Sequence, residues 1–468
     1  MLLLFSGCSG NSTSTSTPKS PAIHNEWTWV SGAETVDQLG VYGTQGAAST
    51  SNTPGARVNA NSWTDASGNL WLFGGYGGSS VGVQGDLNDL WKYDGSTWTW
   101  VSGSNQTEQA GVYGTLGTAV SGSIPGARYQ AVSWLDASGN VWILGGLGID
   151  STGTRGRLGD LWKYSNGQWT WMSGSNLSSQ PGVNGGYTQS TMYGTLGVAA
   201  AGNTPGIRTS ASSWTDSAGN LWLFGGLGID STGTFGYLND LWKYSGNQWT
   251  WMSGASAANQ LGTYGTMGST APNNVPGARV SATTWTDTAG NLWLFGGEGY
   301  DATGKGTGCA TPPYVCELND LWKYNGSEWA WMGGANTTNQ SGTYGTIGVA
   351  ASSNIPGARD NATGWIDAHG VFWLFGGFGF DSAGTSGDLN DLWKYSGGQW
   401  TWVNGEDISA QTGNYGTLGT AATSNLPACR DGAVSWIDKS NNLWLFGGGD
   451  YLTIAHGGKF NDLWEYQP

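Results

Sequence analysis

The chain has 468 residues, among them 82 Gly and 30 Trp, with 13% aromatic and only 10% charged side chains. Disordered chains lack aromatics, so this glycine reads as turn punctuation in an all-β protein. A formal net charge of −15 with no Lys/Arg run argues against nucleic-acid binding, which needs a phosphate-neutralising patch.

At the start, Met1-Leu-Leu-Leu-Phe-Ser-Gly-Cys8 resembles the end of a bacterial lipoprotein signal, in which small residues precede the lipidated cysteine. No Lys or Arg precedes the apolar run and the run is short, as a truncated start would produce. Residues 1–8 are therefore expected to be a signal remnant, with lipidation at Cys8 and export to the cell envelope. The Ser/Thr/Pro-rich segment 9–25 reads as a flexible tether and 26–468 as one domain. No other stretch is long and apolar enough to span a membrane, so membrane contact is expected only through the lipid.

From Trp27 onward the chain repeats itself. In the first full unit, Pro54-Gly-Ala-Arg57 leads to Ser62-Trp-Thr-Asp65 and then to Asn69-Leu-Trp-Leu-Phe-Gly-Gly75. After a loop come Leu87-Asn-Asp-Leu-Trp-Lys-Tyr93 and Thr97-Trp-Thr-Trp-Val101. These are four short strands, here a to d, rich in Trp, Leu and Thr and bounded by turn residues. The Gly-Gly doublet closes at Gly75, Gly146, Gly226, Gly297, Gly377 and Gly448, which gives six units.

Tryptophan tests that count. Each unit uses one Trp in a, one in b, one in c and two in d. The sixth has Trp436, Trp444 and Trp464 but lacks its strand-d pair, and Trp27 and Trp29 supply it from the other end. The expected fold is a six-bladed β-propeller with four antiparallel strands per blade. Its ring is closed by an N-terminal strand d in the last blade, because a ring leaves no sheet stack open.

The Gly-Gly doublet after strand b, a Tyr in strand c and a Trp six intervening residues later resemble the kelch-repeat family. Tyr93/Trp100, Tyr164/Trp171, Tyr244/Trp251, Tyr324/Trp331 and Tyr395/Trp402 keep that spacing. The resemblance covers nearly all of residues 26–466 and implies a galactose-oxidase-like propeller.

In an up-and-down blade the a–b and c–d turns share one face, and the b–c and d–a connections share the other. Here the first two are tight and the last two long, so ligand binding is expected on the long-loop face. Cys309 and Cys316 lie in the fourth b–c loop and are expected to form a disulfide there. Cys-x6-Cys without further ligands is a poor zinc signature, and Cys429 reads as a small buried residue.

Two repeated sets are candidate ligand-binding residues. Arg57, Arg128, Arg208, Arg279, Arg359 and Arg430 precede strand a and would form an anion-binding ring if they lined the channel. Ion pairs with the recurring Asp of strand c (Asp89, Asp160, Asp240) are the preferred reading, because a residue repeated in every blade builds blades. Tyr42, Tyr113, Tyr193, Tyr264, Tyr344 and Tyr415 recur in Gly-x-Tyr-Gly-Thr, either as a sugar-stacking circle or, preferably, as pins for their own loops. Asp150, Asp230, Asp301 and Asp381 read as turn formers.

No catalytic set emerges. His24, His369 and His456 are the only histidines, and no cluster suggests copper or any other metal, so no cofactor is expected. Glu298, Asp360, Asp431 and Asp450 are the non-repeated acids, which an acid–base pair would require. The resulting expectation is a monomeric, non-catalytic module binding a protein or glycan. The alternatives are a carbohydrate-active lyase, epimerase or hydrolase with its site over the channel, and a structural envelope protein.

Overall fold

The computed structural model describes residues 25–179, 191–304, 316–450 and 458–468. Cys8, residues 9–24 of the tether, Cys309, His24 and His456 lie outside them. All regular structure among the described residues is β, in antiparallel sheets of mostly four to six strands, the layout of a β-propeller.

Six sheets carry the tryptophan pattern. The first runs through Asn61–Thr64, Leu70–Gly78, Gln84–Tyr93 and Trp98–Ser102, each paired with the next. The last is completed by Glu26–Ser31, which pairs with Leu463–Gln467 as its outer strand. Trp27 is fully buried there against Phe375, Trp464 and Tyr466.

Neighbouring sheets share apolar cores in which side chains of strands b and c interdigitate. One such cluster joins Leu70 and Trp91 of the first sheet to Trp436, Phe446 and Leu463 of the sixth. Indole N–H groups of strand a donate across these interfaces, as from Trp436 to the Trp71 carbonyl at 2.9 Å and from Trp214 to the Trp293 carbonyl at 2.8 Å. The Trp214 bond is buried and the Trp436 bond partly so, and each satisfies a donor that water would not fully reach.

The long connections differ from simple loops. Beyond the Gly-Gly doublet, strands b and c continue as paired arms in most sheets, so Tyr76 faces Asp86 and Gly78 faces Gln84. The register shifts by one at the doublet. Gly74 has φ +66°, and a Cβ there would lie 2.8 Å from the Arg128 carbonyl of the neighbouring sheet, so only glycine lets the two sheets approach.

The d–a connections also do more than cover one face. Each lies along the outer strand of the following sheet: Ala48–Ser49 pairs with Trp98 and Thr99, and the Gly117 N–H donates to the Trp171 carbonyl at 2.7 Å. The physical reason is the edge. Strand d is the outermost strand of its blade, and an uncovered row of N–H and C=O groups would invite pairing with another chain.

Candidate functional site

A collar of backbone surrounds the axis. Asn59 N–H donates to the Gly432 carbonyl, Gln130 to Asn59, Ser210 to Gln130, Ser281 to Ser210, Asn361 to Ser281 and Gly432 to Asn361, at 2.8–3.1 Å. The sixth bond returns to the partner of the first. All six residues have φ between +48° and +58°, a left-handed conformation that Asn and Gly accept most readily. Sequence reasoning missed this set, although its signal was present: two residues after each repeated Arg stands a small polar residue, Gln or Gly.

On the turn side of the collar, strands a surround a cavity of about 340 Å³ bordered by Ser62, Ser133, Gly364 and Ser435. Two of its hydroxyls are engaged: Ser62 donates to the Ser435 carbonyl at 3.1 Å, and Ser435 to the Gly364 carbonyl at 3.1 Å. This side is chemically bland.

On the arm side, the residue after each repeated Arg, the residue after each Gly-Gly and the residue before strand c's Leu-Asn-Asp motif face each other. Directly opposed residues on antiparallel strands project from the same sheet surface. Here the repeat breaks down. The trios are Val58, Tyr76 and Asp86 in the first sheet, Tyr129, Leu147 and Arg157 in the second, and Thr209, Leu227 and Tyr237 in the third. Val280, Glu298 and Glu317 follow in the fourth, then Asp360, Phe378 and Asp388, then Asp431, Gly449 and Lys459. Identical backbone positions thus carry six different chemistries, in a chain that otherwise repeats nearly verbatim.

The acids of sheets four to six act on one another through their charges. Glu317 is 2% exposed, and burial, together with the charges of Asp360, Glu298 and Asp431, holds its carboxyl far above the usual range. Asp360 is raised likewise by burial and by Asp431, Glu298 and Asp388. Burial, and then Asp450, pushes Asp431 up to about 7. Glu298 is raised by burial, partly offset by the Tyr237 hydroxyl, which donates to its Oε1 at 2.6 Å. Glu317 Oε2 and Asp431 Oδ1 are buried without a hydrogen-bond partner. Of these acids, sequence reading singled out Glu298, Asp360, Asp431 and Asp450; it overlooked Glu317 and Asp388, which sit at the start of a repeated strand.

The positive side chains of the same region are engaged elsewhere. Arg155 bridges to Asp86 at 2.8 Å, Arg157 lies 4.2 Å over the Phe235 ring, and Lys459 lies 4.9 Å over the Tyr76 ring. Burial, and then the charges of Asp450 and Asp388, hold the buried Cys429 thiol well above its usual range. Among the described residues no group of three His, Cys, Asp or Glu side chains could hold a metal ion.

The repeated candidates lie apart from this region, inside the blades. The six arginines are 0–1% exposed, and each pairs with the strand-c Asp of its own sheet, Arg57 with Asp89 through Arg430 with Asp462, at 2.6–2.9 Å. The tyrosine hydroxyls donate to those same carboxylates at 2.6–2.8 Å, from Tyr42 to Asp89 through Tyr415 to Asp462. The guanidinium groups are taken up within the blades, as Arg57 is by the Asp89 carboxylate and the Gly55 and Gly74 carbonyls, and are not presented to an anion. The tyrosines pin their loops, with the Tyr42 ring 4.8 Å from Trp91. Asp150 closes a turn by accepting the Thr152 and Thr154 N–H groups. Cys316 is disulfide-bonded, and Cys309 lies outside the described residues.

No protein-family model matches the chain, and neither does any curated protein. Among solved structures it is similar to YjhT at 15% identity and TM-score 0.47, over 89% of this chain and 96% of that one. A fungal alcohol oxidase of the AA5 family, in complex with copper, is similar at 12% identity and TM-score 0.45, over 92% and 77%. A protein of unknown function from Dyadobacter fermentans DSM 18053 is similar at 9% identity and TM-score 0.44, over 95% and 100%.

Proposed function

We propose that the chain is a six-bladed kelch-type propeller, closed by its N-terminal strand, that serves as a non-catalytic binding module. In this reading it is exported and held at a bacterial envelope by a lipid on Cys8. Its ligand, a glycan or a protein segment, enters the axial mouth on the side of the b–c arms. One contrast carries the reading: the arginine, tyrosine and tryptophan positions repeat from sheet to sheet, whereas the trio positions around the mouth do not. A residue that builds the blade must recur in every blade, and a residue that serves one ligand need not.

The test is a melting-temperature screen with glycans and peptides, since a ligand of the native state stabilises it. The expected result is a hit that is weakened by Tyr129→Ala and Phe378→Ala at the mouth. Hits indifferent to every substitution in the trios would refute the placement.

A second reading, a carbohydrate-active enzyme, is favoured by one observation. Asp431, pushed up to about 7, would exchange its proton near neutral pH among other carboxyls, and unequal carboxyl pKa values are how acid and base roles separate in one site. Mass spectrometry of each hit after incubation distinguishes the two, because a chemically altered glycan overturns the non-catalytic module.

A further inference from the structure

The acidic side of the mouth gathers buried carboxyls that the protein alone accommodates only by keeping protons on them. Glu298, Glu317, Asp360 and Asp431 come from three successive sheets, and the charges of Glu298, Asp360 and Asp431 all act on Glu317. Buried carboxyls are ordinarily paired with a cation or fully hydrogen-bonded. Here the nearby cations are turned to Asp86, Phe235 and Tyr76. Glu317 is buried, and its Oε2 has no hydrogen-bond partner.

The spacing narrows what could fill the gap. These acids interact through their charges, yet no three of them converge tightly enough for a metal ion among the described residues. A bare ion needs several oxygens at about 2.0–2.6 Å, whereas an alkylammonium group carries three divergent N–H donors and reaches acids set further apart. Half-buried aromatic side chains occupy other trio positions, Tyr237 hydrogen-bonded to Glu298 and Phe378 opposite Asp360 and Asp388. Aromatic faces also attract ammonium groups.

We propose that the ligand of the axial mouth bears a primary ammonium group and that Glu317, Glu298, Asp360 and Asp431 receive it. The proposal rests on the mouth being the binding site. Three sources share this chemistry, an amino sugar, a diamine and a lysine side chain, and they are separated as arms of the test. The buried acids then serve binding and not folding, and they give up protons when the cation arrives, because a nearby positive charge favours the ionised form.

The experiment is calorimetric titration and thermal shift of the full chain at pH 7.5 and low salt. Glucosamine, cadaverine and Nα-acetyl-lysine amide are each compared with an uncharged counterpart: N-acetylglucosamine, 1-pentanol and Nα,Nε-diacetyl-lysine amide. At least one ammonium compound should bind with proton release and raise the melting temperature, while its counterpart does not. Glu317→Gln should weaken that binding about tenfold or more and leave the unliganded protein melting at or above the parent temperature. A purely structural glutamate would instead lower the melting temperature on substitution. Should Glu317→Gln not fold, Asp360→Asn gives the same readout. The proposal is overturned if no ammonium compound binds, or if binding is unchanged in both variants. It is also overturned if uncharged counterparts bind equally well. A hit of the last kind that still responds to Phe378→Ala removes the ammonium assignment and leaves the mouth as the binding site.

Discussion

Asn59 donates its backbone N–H to the carbonyl of Gly432 at 2.8 Å, joining the first sheet to the sixth across most of the chain. Along the same interface Ser62 bonds the Ser435 carbonyl and Trp436 bonds the Trp71 carbonyl. The two ends of the repeat are therefore held by the kinds of contact that join consecutive sheets elsewhere, and the outermost strand of the sixth sheet comes from Glu26–Ser31.

Trp27→Ala should destabilise the whole domain. The ring is fully buried against Phe375, Trp464 and Tyr466, and truncating such an aromatic costs about 3–5 kcal/mol. Denaturant unfolding measures it. A midpoint equal to the parent's would mean that the N-terminal strand contributes nothing to stability.

Removing one member of a blade's ion pair should cost more than removing both. Arg359 and Asp391 are buried and joined at 2.6 and 2.7 Å, with Tyr344 and Trp393 donating to the same carboxylate. Asp391→Ala strands a buried guanidinium at a cost of about 3–5 kcal/mol, and Arg359→Met combined with Asp391→Leu should recover part of it. A double-mutant cycle by chemical denaturation decides the matter, and strict additivity would contradict the pairing.

Stability should decline as pH rises from about 4 to 7. Asp431, pushed up to about 7, holds its proton in the folded state after the unfolded chain has lost its own near 4. The folded state then binds more protons, so the group is harmless below about 4 and costs stability as pH rises through that window. Asp431→Asn should flatten the decline by on the order of 1 kcal/mol or more, measured as melting temperature against pH. An unchanged slope would refute the assignment to Asp431.

Two glycines with the same sign of φ should respond differently to alanine. At Gly233, φ is +84° and a Cβ meets nothing within 4 Å, so Gly233→Ala pays only the left-handed backbone, about 1–2 kcal/mol. At Gly225, φ is +64° and a Cβ would lie 2.8 Å from the carbonyls of both Arg279 and Leu238. Gly225→Ala should therefore cost more, because two sheets must separate to admit one methyl group. Equal melting temperatures for the two variants would count against the close approach at the doublet.

The sequence by itself determined the strands, their order within each sheet and the unusual pairing of the two chain ends. Those features rest on local spacing: one Trp per inner strand, two in the outer strand and a glycine doublet at which strand b shifts register. Arg57 with Asp89, and Tyr42 with its loop, were legible for the same reason, since what recurs in every sheet has to serve every sheet. Only the tertiary structure decided that the long d–a connections cover the outer edges and that the collar runs from Asn59 round to Gly432. It also decided that Glu298, Glu317, Asp360 and Asp431 share one electrostatic environment. These acids stand at repeated positions, but their residue type does not recur from sheet to sheet, so the repeat alone does not show that they act on one another. The cross-strand register and the packing of one sheet against the next bring them together, and neither is written in any single segment.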